Sequence, residues 1–267
     1  MTTGDVHRQP PSALSLIIHQ CRYELLSFKR DRQAGVTTVV MPLILLVAFV
    51  SLAGHHSTVV QDGHKISVAQ FYVPGLIAFA VVASSFASLL VDLVTLRQAG
   101  ILKRRRATPV PAWALIGGRT LSCAAVVLGT SAVLLFIGRN NYNVHFASAA
   151  LPAIALTIVL GTAAFCCFAY AIAPFIRNVG ATQPIIQLVL LPLYIISGVL
   201  LPDSKNPEVL RQIARIFPLE HIANGLHRAS SLTSPGIGMT ATDLAILAAW
   251  IAVGLAVAIQ RFQWLPR

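Results

Sequence analysis

Acidic residues are scarce in this chain of 267 residues: nine in all against twenty lysines and arginines, so that only 11% of positions are charged. Soluble proteins carry about a quarter charged residues, and a soluble surface needs polar cover that this composition does not supply. With 56% apolar residues and a mean hydropathy of +0.74, the solvent for most of the chain is expected to be lipid. The net charge of +11 comes from short basic clusters between long apolar runs. No aromatic residues are interleaved with them as stacking platforms, so the anionic face of a membrane fits them better than nucleic acid.

Lysine is rarer still. The four lysines, Lys29, Lys65, Lys103 and Lys205, follow Phe28, His64, Leu102 and Ser204. A phosphate-binding loop needs a lysine directly after a glycine, so this chain does not bind and hydrolyse ATP by that chemistry. The four cysteines, Cys21, Cys123, Cys166 and Cys167, show no CxxC spacing. They read as buried, apolar-like thiols rather than a disulfide or metal framework.

Of the nine acids, only Asp92 and Asp243 fall in apolar segments, each near an end. A proton or sodium relay across a membrane cannot be built from that set; Asp92 is expected to pair with Arg97 or Arg119. His55, His56 and His64 lack an HExxH pattern or cysteine partners. His221 and His227 lie about 240° apart around a helix, so they cannot hold one ion from one face. No nucleophile with a positioned histidine is evident. A membrane-embedded enzyme, or a structural subunit without its own transport path, stays open as the alternative reading.

What the chain does have is six apolar runs of the length a membrane helix needs, about 20 residues. They run from about Val36 to Ala53, Phe71 to Val94, Trp113 to Gly138, Ala149 to Ile176, Ala181 to Leu201 and Ala241 to Gln260. The turn after the fourth is so short that the fourth and fifth must be antiparallel neighbours. Fourteen of the lysines and arginines fall on one side of this arrangement and six on the other. By the positive-inside bias both termini are expected in the cytoplasm, with a multi-pass chain in the cell membrane. Residues 1–35 are polar and mixed and lack a small-residue cleavage site, so the first run is expected to be retained.

Two flanking segments carry patterns of their own. In residues 1–35, Leu14, Ile17, Ile18, Cys21, Leu25 and Phe28 form one helical stripe after a start signal at Pro11 and Ser12. That predicts an amphipathic helix lying on the inner leaflet, ahead of a permease domain over 36–267. Between the fifth and sixth runs, residues 202–240 hold helical signals. Asn206-Pro207-Glu208 reads as a helix start, with apolar faces at Val209, Ile213, Ile216 and Phe217 and at Ile222, Ala223 and Leu226. A re-entrant helical hairpin on the external side is expected, because apolar faces need burial.

The loop over 95–112 is the most informative stretch. Arg97, then Gly100, Ile101 and Leu102, then Lys103, Arg104, Arg105 and Arg106, precede Ala107-Thr108-Pro109. An apolar edge beside four bases suits a docking helix for a cytoplasmic partner, besides setting topology. This stretch resembles the loop of the ABC-2 type transporter permeases. The fifth run agrees: Pro192-Leu193-Tyr194-Ile195-Ile196-Ser197-Gly198-Val199-Leu200-Leu201-Pro202 is similar to the family's serine-glycine-aliphatic-proline signature. Phe217-Pro218-Leu219-Glu220-His221 through Arg228 is similar to its proline-leucine segment. Drug-resistance permeases of the daunorubicin type and nodulation-factor permeases are the flavours it resembles most. Where the family often has a glutamate just before the loop glycine, this chain has Gln98 and Ala99.

The resemblance implies an all-α, six-span exporter subunit with no catalytic, cofactor or metal residues of its own. ATP and Mg would sit on a separate ATPase subunit, expected in two copies and coupled through Arg97 and Gly100 to Arg106. One six-helix chain is too small to surround a path, so a second permease, identical or a paralogue, is expected. The first, second and fifth spans would then face the path. Pro184 and Pro192 interrupt the fifth helix's hydrogen bonding and Gly198 allows close approach, so Pro192, Tyr194, Ser197 and Gly198 mark its bend. Candidate path residues Phe79, Phe86, Leu190 and Tyr194 are apolar. The cargo is accordingly expected to be a lipophilic or amphipathic drug, lipid or glycolipid, as in antibiotic efflux, with membrane lipid as a further partner.

Overall fold

The computed structural model describes residues 13–30, 35–54, 57–61, 64–100, 112–144, 146–176, 178–200, 208–230 and 238–261. The chain is an all-α integral membrane protein. Helix α1 (Ala13–Arg30) is followed by α2 (Met41–Ala53), which is entered through a π-helical turn at Val36–Val40. A small antiparallel hairpin of β1 (Thr58–Gln61) and β2 (His64–Ser67), in register Thr58↔Ser67 to Gln61↔His64, separates α2 from α3 (Val68–Gln98). Then come α4 (Ala112–Tyr142), α5 (Leu151–Phe175, its last turn 3-10), α6 (Val179–Ile196), α7 (Glu208–Ala214), α8 (Pro218–Ser230) and α9 (Ala241–Arg261).

Among the described residues five helices, α3, α4, α5, α6 and the Ala241–Ala258 part of α9, are long and apolar enough to cross a membrane. The first expected run, Val36 to Ala53, is helical over that range and ends where the backbone turns out at Gly54 with φ +87°; its apolar part, Thr38–Ala53, is shorter than the other five. The hairpin that follows was not expected from the sequence. The second expected span lengthens at both ends. Ser67 caps it, its hydroxyl accepting from the Gln70 backbone N–H at 3.1 Å, and Gly100 closes it at φ +68°. A left-handed glycine just past the last turn is the usual way to satisfy a helix's terminal carbonyls.

Helix α3 is the centre of the bundle. Leu76, Ala78, Ala80, Val81, Val82 and Leu90 are fully buried, and the helix packs on α2, α4, α5, α6 and α8. Small residues set the closest approaches. A Cβ at Gly254 of α9 would lie 2.8 Å from the Cys167 backbone of α5, and one at Gly161 of α5 would lie 2.6 Å from Ile222 of α8. In lipid there is little hydrophobic drive between helices, so such small-residue contacts carry the packing.

The molecule has two poles. At one, α1 lies against α4, near the C-terminal ends of α3 and α5. At the other, α7 and α8 fold back against the bundle beside the starts of α3 and α9. The turn between α7 and α8 lies inward, with Phe217 stacked on Trp250 at 6.2 Å, and α8 runs back out past Gly161 of α5, which Ile222 meets. Trp250 itself packs edge-on against Phe168 of α5 at 5.1 Å, and its indole N–H donates to the Ile216 carbonyl at 2.8 Å.

Candidate functional site: an arginine centre beneath the N-terminal helix

Three helices meet at Arg119. It rises from α4 between Asp92 of α3 and Glu24 of α1, and its guanidinium donates to both carboxylates. The arginine side chain is 14% exposed, Glu24 11% and Asp92 36%. The guanidinium, a planar fork with five N–H donors, can serve two acids from different helices at once. The sequence expectation that Asp92 pairs with Arg97 or Arg119 resolves to Arg119. Glu24 was missed, because an acid on the stripe-bearing helix looked like part of its solvated face. Cys21 and Glu24 share the buried side of α1, whereas Ile18, Tyr23 and Leu26 are exposed. Burial, with Cys123 and Glu24 nearby, pushes the Cys21 thiol up from its usual range.

Around the ion centre lies a small polar pocket lined by Glu24, Ser84, Ser88, Arg119, Ser122, Cys123 and Val126. Arg119 Nε has no hydrogen-bond partner among the described residues. The α3 wall of this pocket is a π-helical stretch, Ala83–Ser88. A π-bulge loosens the i to i−4 ladder, and local side chains take up the freed groups. The Ser85 hydroxyl donates to the Val81 carbonyl at 2.5 Å, and the Cys123 thiol approaches the Ser84 carbonyl at 3.6 Å.

Arg97, expected in the coupling loop, is committed elsewhere. Its guanidinium donates to the carbonyls of Ala173 at 3.0 Å and Pro174 at 3.4 Å, and to that of Ile176. Those are the orphan acceptors at the end of α5, where a cation also suits the helix dipole. Arg97 thus fastens the end of α3 to the end of α5. Gly100 serves as the positive-φ stop of α3. Ile101, Leu102, Lys103, Arg104, Arg105 and Arg106 lie outside the described residues.

The fifth-span residues gather at the other pole. Helix α6 continues through Pro184 and Pro192 to Ile196. Pro192 is exposed, while Tyr194, Ser197 and Gly198 are buried against α3. Gly198 has φ +70°, which turns the chain so that the Val199 carbonyl sits over Gly75, where a Cβ would lie 2.7 Å away. The Tyr194 ring packs on Phe79 at 5.0 Å and the Tyr72 hydroxyl donates to Leu200 at 3.4 Å. Phe86 and Leu190 are also buried within the chain, Phe86 stacking on Phe168 at 5.1 Å. The exposed face of α6 carries Leu188, Leu191 and Ile195.

These features, five long apolar helices, a surface helix clamped at one pole and a re-entrant pair at the other, accompany a match over residues 56–259 to the model of a family described as ABC-2 family transporter proteins. The chain belongs to this family. Curated relatives include the inner membrane transport permease YadH of Escherichia coli strain K12, 23% identical over 197 residues that cover 73% of this chain and 76% of that one. The same protein in Escherichia coli O157:H7 and in Shigella flexneri matches with the same identity and coverage. As an ABC-2 family transport permease the chain is a multi-pass membrane subunit, and the family as a whole works with an ATPase partner.

The second pole holds a network that sequence reading did not assemble. Asp243, in the first turn of α9, accepts from the backbone N–H and hydroxyl of Thr240 at 2.8 and 2.7 Å and from Arg228 at 2.8 Å. His221 Nδ1 lies 2.6 Å from its other oxygen. The Asp243 N–H returns to the Thr240 hydroxyl at 3.3 Å, which completes a capping box. The signal was present as Thr240-Ala241-Thr242-Asp243. His227, one face over, stacks on Phe71 at 5.2 Å, and burial pulls it down to about 4.

Proposed function

We propose that this permease subunit works as an exporter, paired with a second permease copy or paralogue and driven by two copies of a separate ATPase that carries the ATP and Mg. The observation that carries the reading is the Arg119 centre. It binds α1, α3 and α4 into one unit at the pole where α3 ends and the basic loop follows. A push on that loop or on α1 is therefore delivered to the central helix of the bundle rather than dissipated at the surface. The lysine and arginine asymmetry supports a cytoplasmic placement of this pole and of both termini. The apolar exposed faces of α2 and α6, with Ile44, Val47, Leu188 and Leu191 outward, support a lipophilic or amphipathic cargo and a second permease across them.

Affinity purification of the tagged chain from its host in mild detergent tests this reading. A co-purifying ATPase with a phosphate-binding loop, at equal stoichiometry, is the expected result, and it should vanish when Arg104, Arg105 and Arg106 are all changed to glutamate. Recovery of the chain at normal yield without any ATPase overturns the exporter reading. Retention of the ATPase by the triple variant removes the loop from it.

A further inference from the structure

Cysteines from two helices meet behind the Arg119 centre. Cys123 of α4 stands one helical turn on from Arg119, on the same face, and lines the same polar pocket. Cys166 of α5 is fully buried. The Thr120 hydroxyl donates to Cys166 Sγ and the Cys166 thiol to Cys123 Sγ. The Cys123 thiol donates in turn to the Ser84 carbonyl at 3.6 Å, on the π-helical stretch of α3. This chain of hydrogen bonds puts the two sulfurs in contact and leaves one of them, Cys123, open to the pocket. The other cysteines are placed differently: Cys167 faces Gly254 of α9, and Cys21 lies on α1, near Cys123, with no hydrogen bond to it among the described residues. Structural buried thiols are inert, whereas a thiol beside an arginine and reachable from a polar pocket is placed to react with oxidants. A second thiol in contact diverts the first oxidation product into a disulfide. Arg119 Nε, without a partner among the described residues, borders the same pocket as a donor for a departing oxygen.

We propose that Cys123 and Cys166 form a peroxide-reactive dithiol, with hydrogen peroxide as the oxidant and Cys123 as the thiol that reacts first. Cys123 Sγ bonds to one peroxide oxygen, the O–O bond breaks, and the thiol proton leaves with the other oxygen as water. Cys166 Sγ then displaces the hydroxyl from the sulfenic Cys123. The S–S bond forms, and the second thiol proton leaves with that hydroxyl as water. Two thiols are oxidised by two electrons and one peroxide is reduced. The product ties α4 to α5 beside the pole where α1 is clamped, and it removes the S–H that held the Ser84 carbonyl. A dithiol reductant reverses it. The reaction depends on neither an ATPase nor a cargo.

The reduced full chain in phosphatidylcholine nanodiscs is exposed to hydrogen peroxide and denatured. Its free thiols are then counted by maleimide labelling, and the bond is located by peptide mapping. Two of the four thiols should disappear into a peptide pair joining Cys123 to Cys166, and dithiothreitol should restore them. Cys123→Ser, whose hydroxyl still donates to Ser84, should keep all its remaining thiols. Cys166→Ser should stop at a sulfenic Cys123, trapped by dimedone, which separates lost pairing from lost folding. Cys21→Ser and Cys167→Ser should close the bond as the unaltered chain does. Cumene hydroperoxide, bulkier and lipid-soluble, should act more slowly than hydrogen peroxide because the pocket is small. A chain that keeps all its thiols, or a bond from Cys123 to Cys21, overturns the pair. Faster closure with cumene hydroperoxide overturns the pocket as the route, since that oxidant arrives through lipid. None of these outcomes moves with the co-purification result, so the two readings fail separately.

Discussion

The two poles fasten a peripheral helix to the bundle with opposite charge order. At the N-terminal pole a cation stands between two anions, Arg119 between Glu24 and Asp92. At the hairpin pole an anion stands between a guanidinium and an imidazole, Asp243 between Arg228 and His221. The difference lies in saturation. Asp243 receives donors on both oxygens and is itself part of a helix cap. Arg119 Nε has no hydrogen-bond partner among the described residues and lies beside a polar pocket and a π-helical stretch of α3. A saturated network resists rearrangement, whereas a partly open one can change partners at lower cost. The hairpin pole is thus built to stay fixed while the N-terminal pole is built to give.

The comparison is tested most severely at Asp243. Asp243→Ala leaves Arg228 and His221 without their acceptor and uncaps α9 in one step. Removing one partner from a buried charged network costs about 3–5 kcal/mol, so thermal unfolding of the purified chain in detergent should fall by an amount of that order. Arg228→Gln should cost far less, about 1 kcal/mol, because Arg228 is 41% exposed and exposed pairs contribute little. A tolerant Asp243→Ala would mean that the hairpin is held by packing alone and that the saturation argument is wrong.

Much of this was legible in the sequence. The apolar runs and the helical segments at 13–30 and 208–230 follow from periodicity, and helices stand at those places; of the N-terminal stripe, Cys21 is buried and Ile18 exposed. The first run ends at Ala53 as read, ahead of the positive-φ Gly54, and is the shortest of the apolar helices. The ion centres were half legible. Asp92, Arg119 and Asp243 stand out as charges in apolar runs, but their partners lie 95 and 27 residues away for Arg119 and 22 and 15 residues away for Asp243. Pairing over such separations is fixed by helix packing, which spacing alone does not encode. Arg97 shows the converse case. Its place in a basic loop suggested a partner contact, yet three carbonyls at the end of α5 claim it.

A second test compares the two acids of the Arg119 centre. Glu24→Gln removes the more buried carboxylate and with it the tie to α1. A loss of about 2–3 kcal/mol is expected, with less than about 1 kcal/mol for Asp92→Asn, whose side chain is 36% exposed. Unfolding of both single variants and of the double variant would give the coupling between them. If the N-terminal pole is the one that gives, Glu24→Gln should also uncouple ATP hydrolysis from export in the assembled transporter at a temperature where the variant remains folded. Full coupling in a folded Glu24→Gln protein would take the Arg119 centre out of the transmission route.

The smallest effect is the most specific to the hairpin. Trp250→Phe preserves most of the ring packing on Phe168 and Phe217 and removes one N–H donor, leaving the Ile216 carbonyl without the bond that holds it at the tip of the hairpin. A single neutral hydrogen bond contributes about 1 kcal/mol net, so global unfolding should shift only slightly. Hydrogen exchange should respond more locally. The amides of α7 and of the turn through Phe217 should lose protection, while those of α8, held separately by Asp243 and by the Gly161–Ile222 contact, should not. Loss of protection spread evenly over both helices would show that the hairpin opens as one body and that the tryptophan, not the Asp243 network, sets its position.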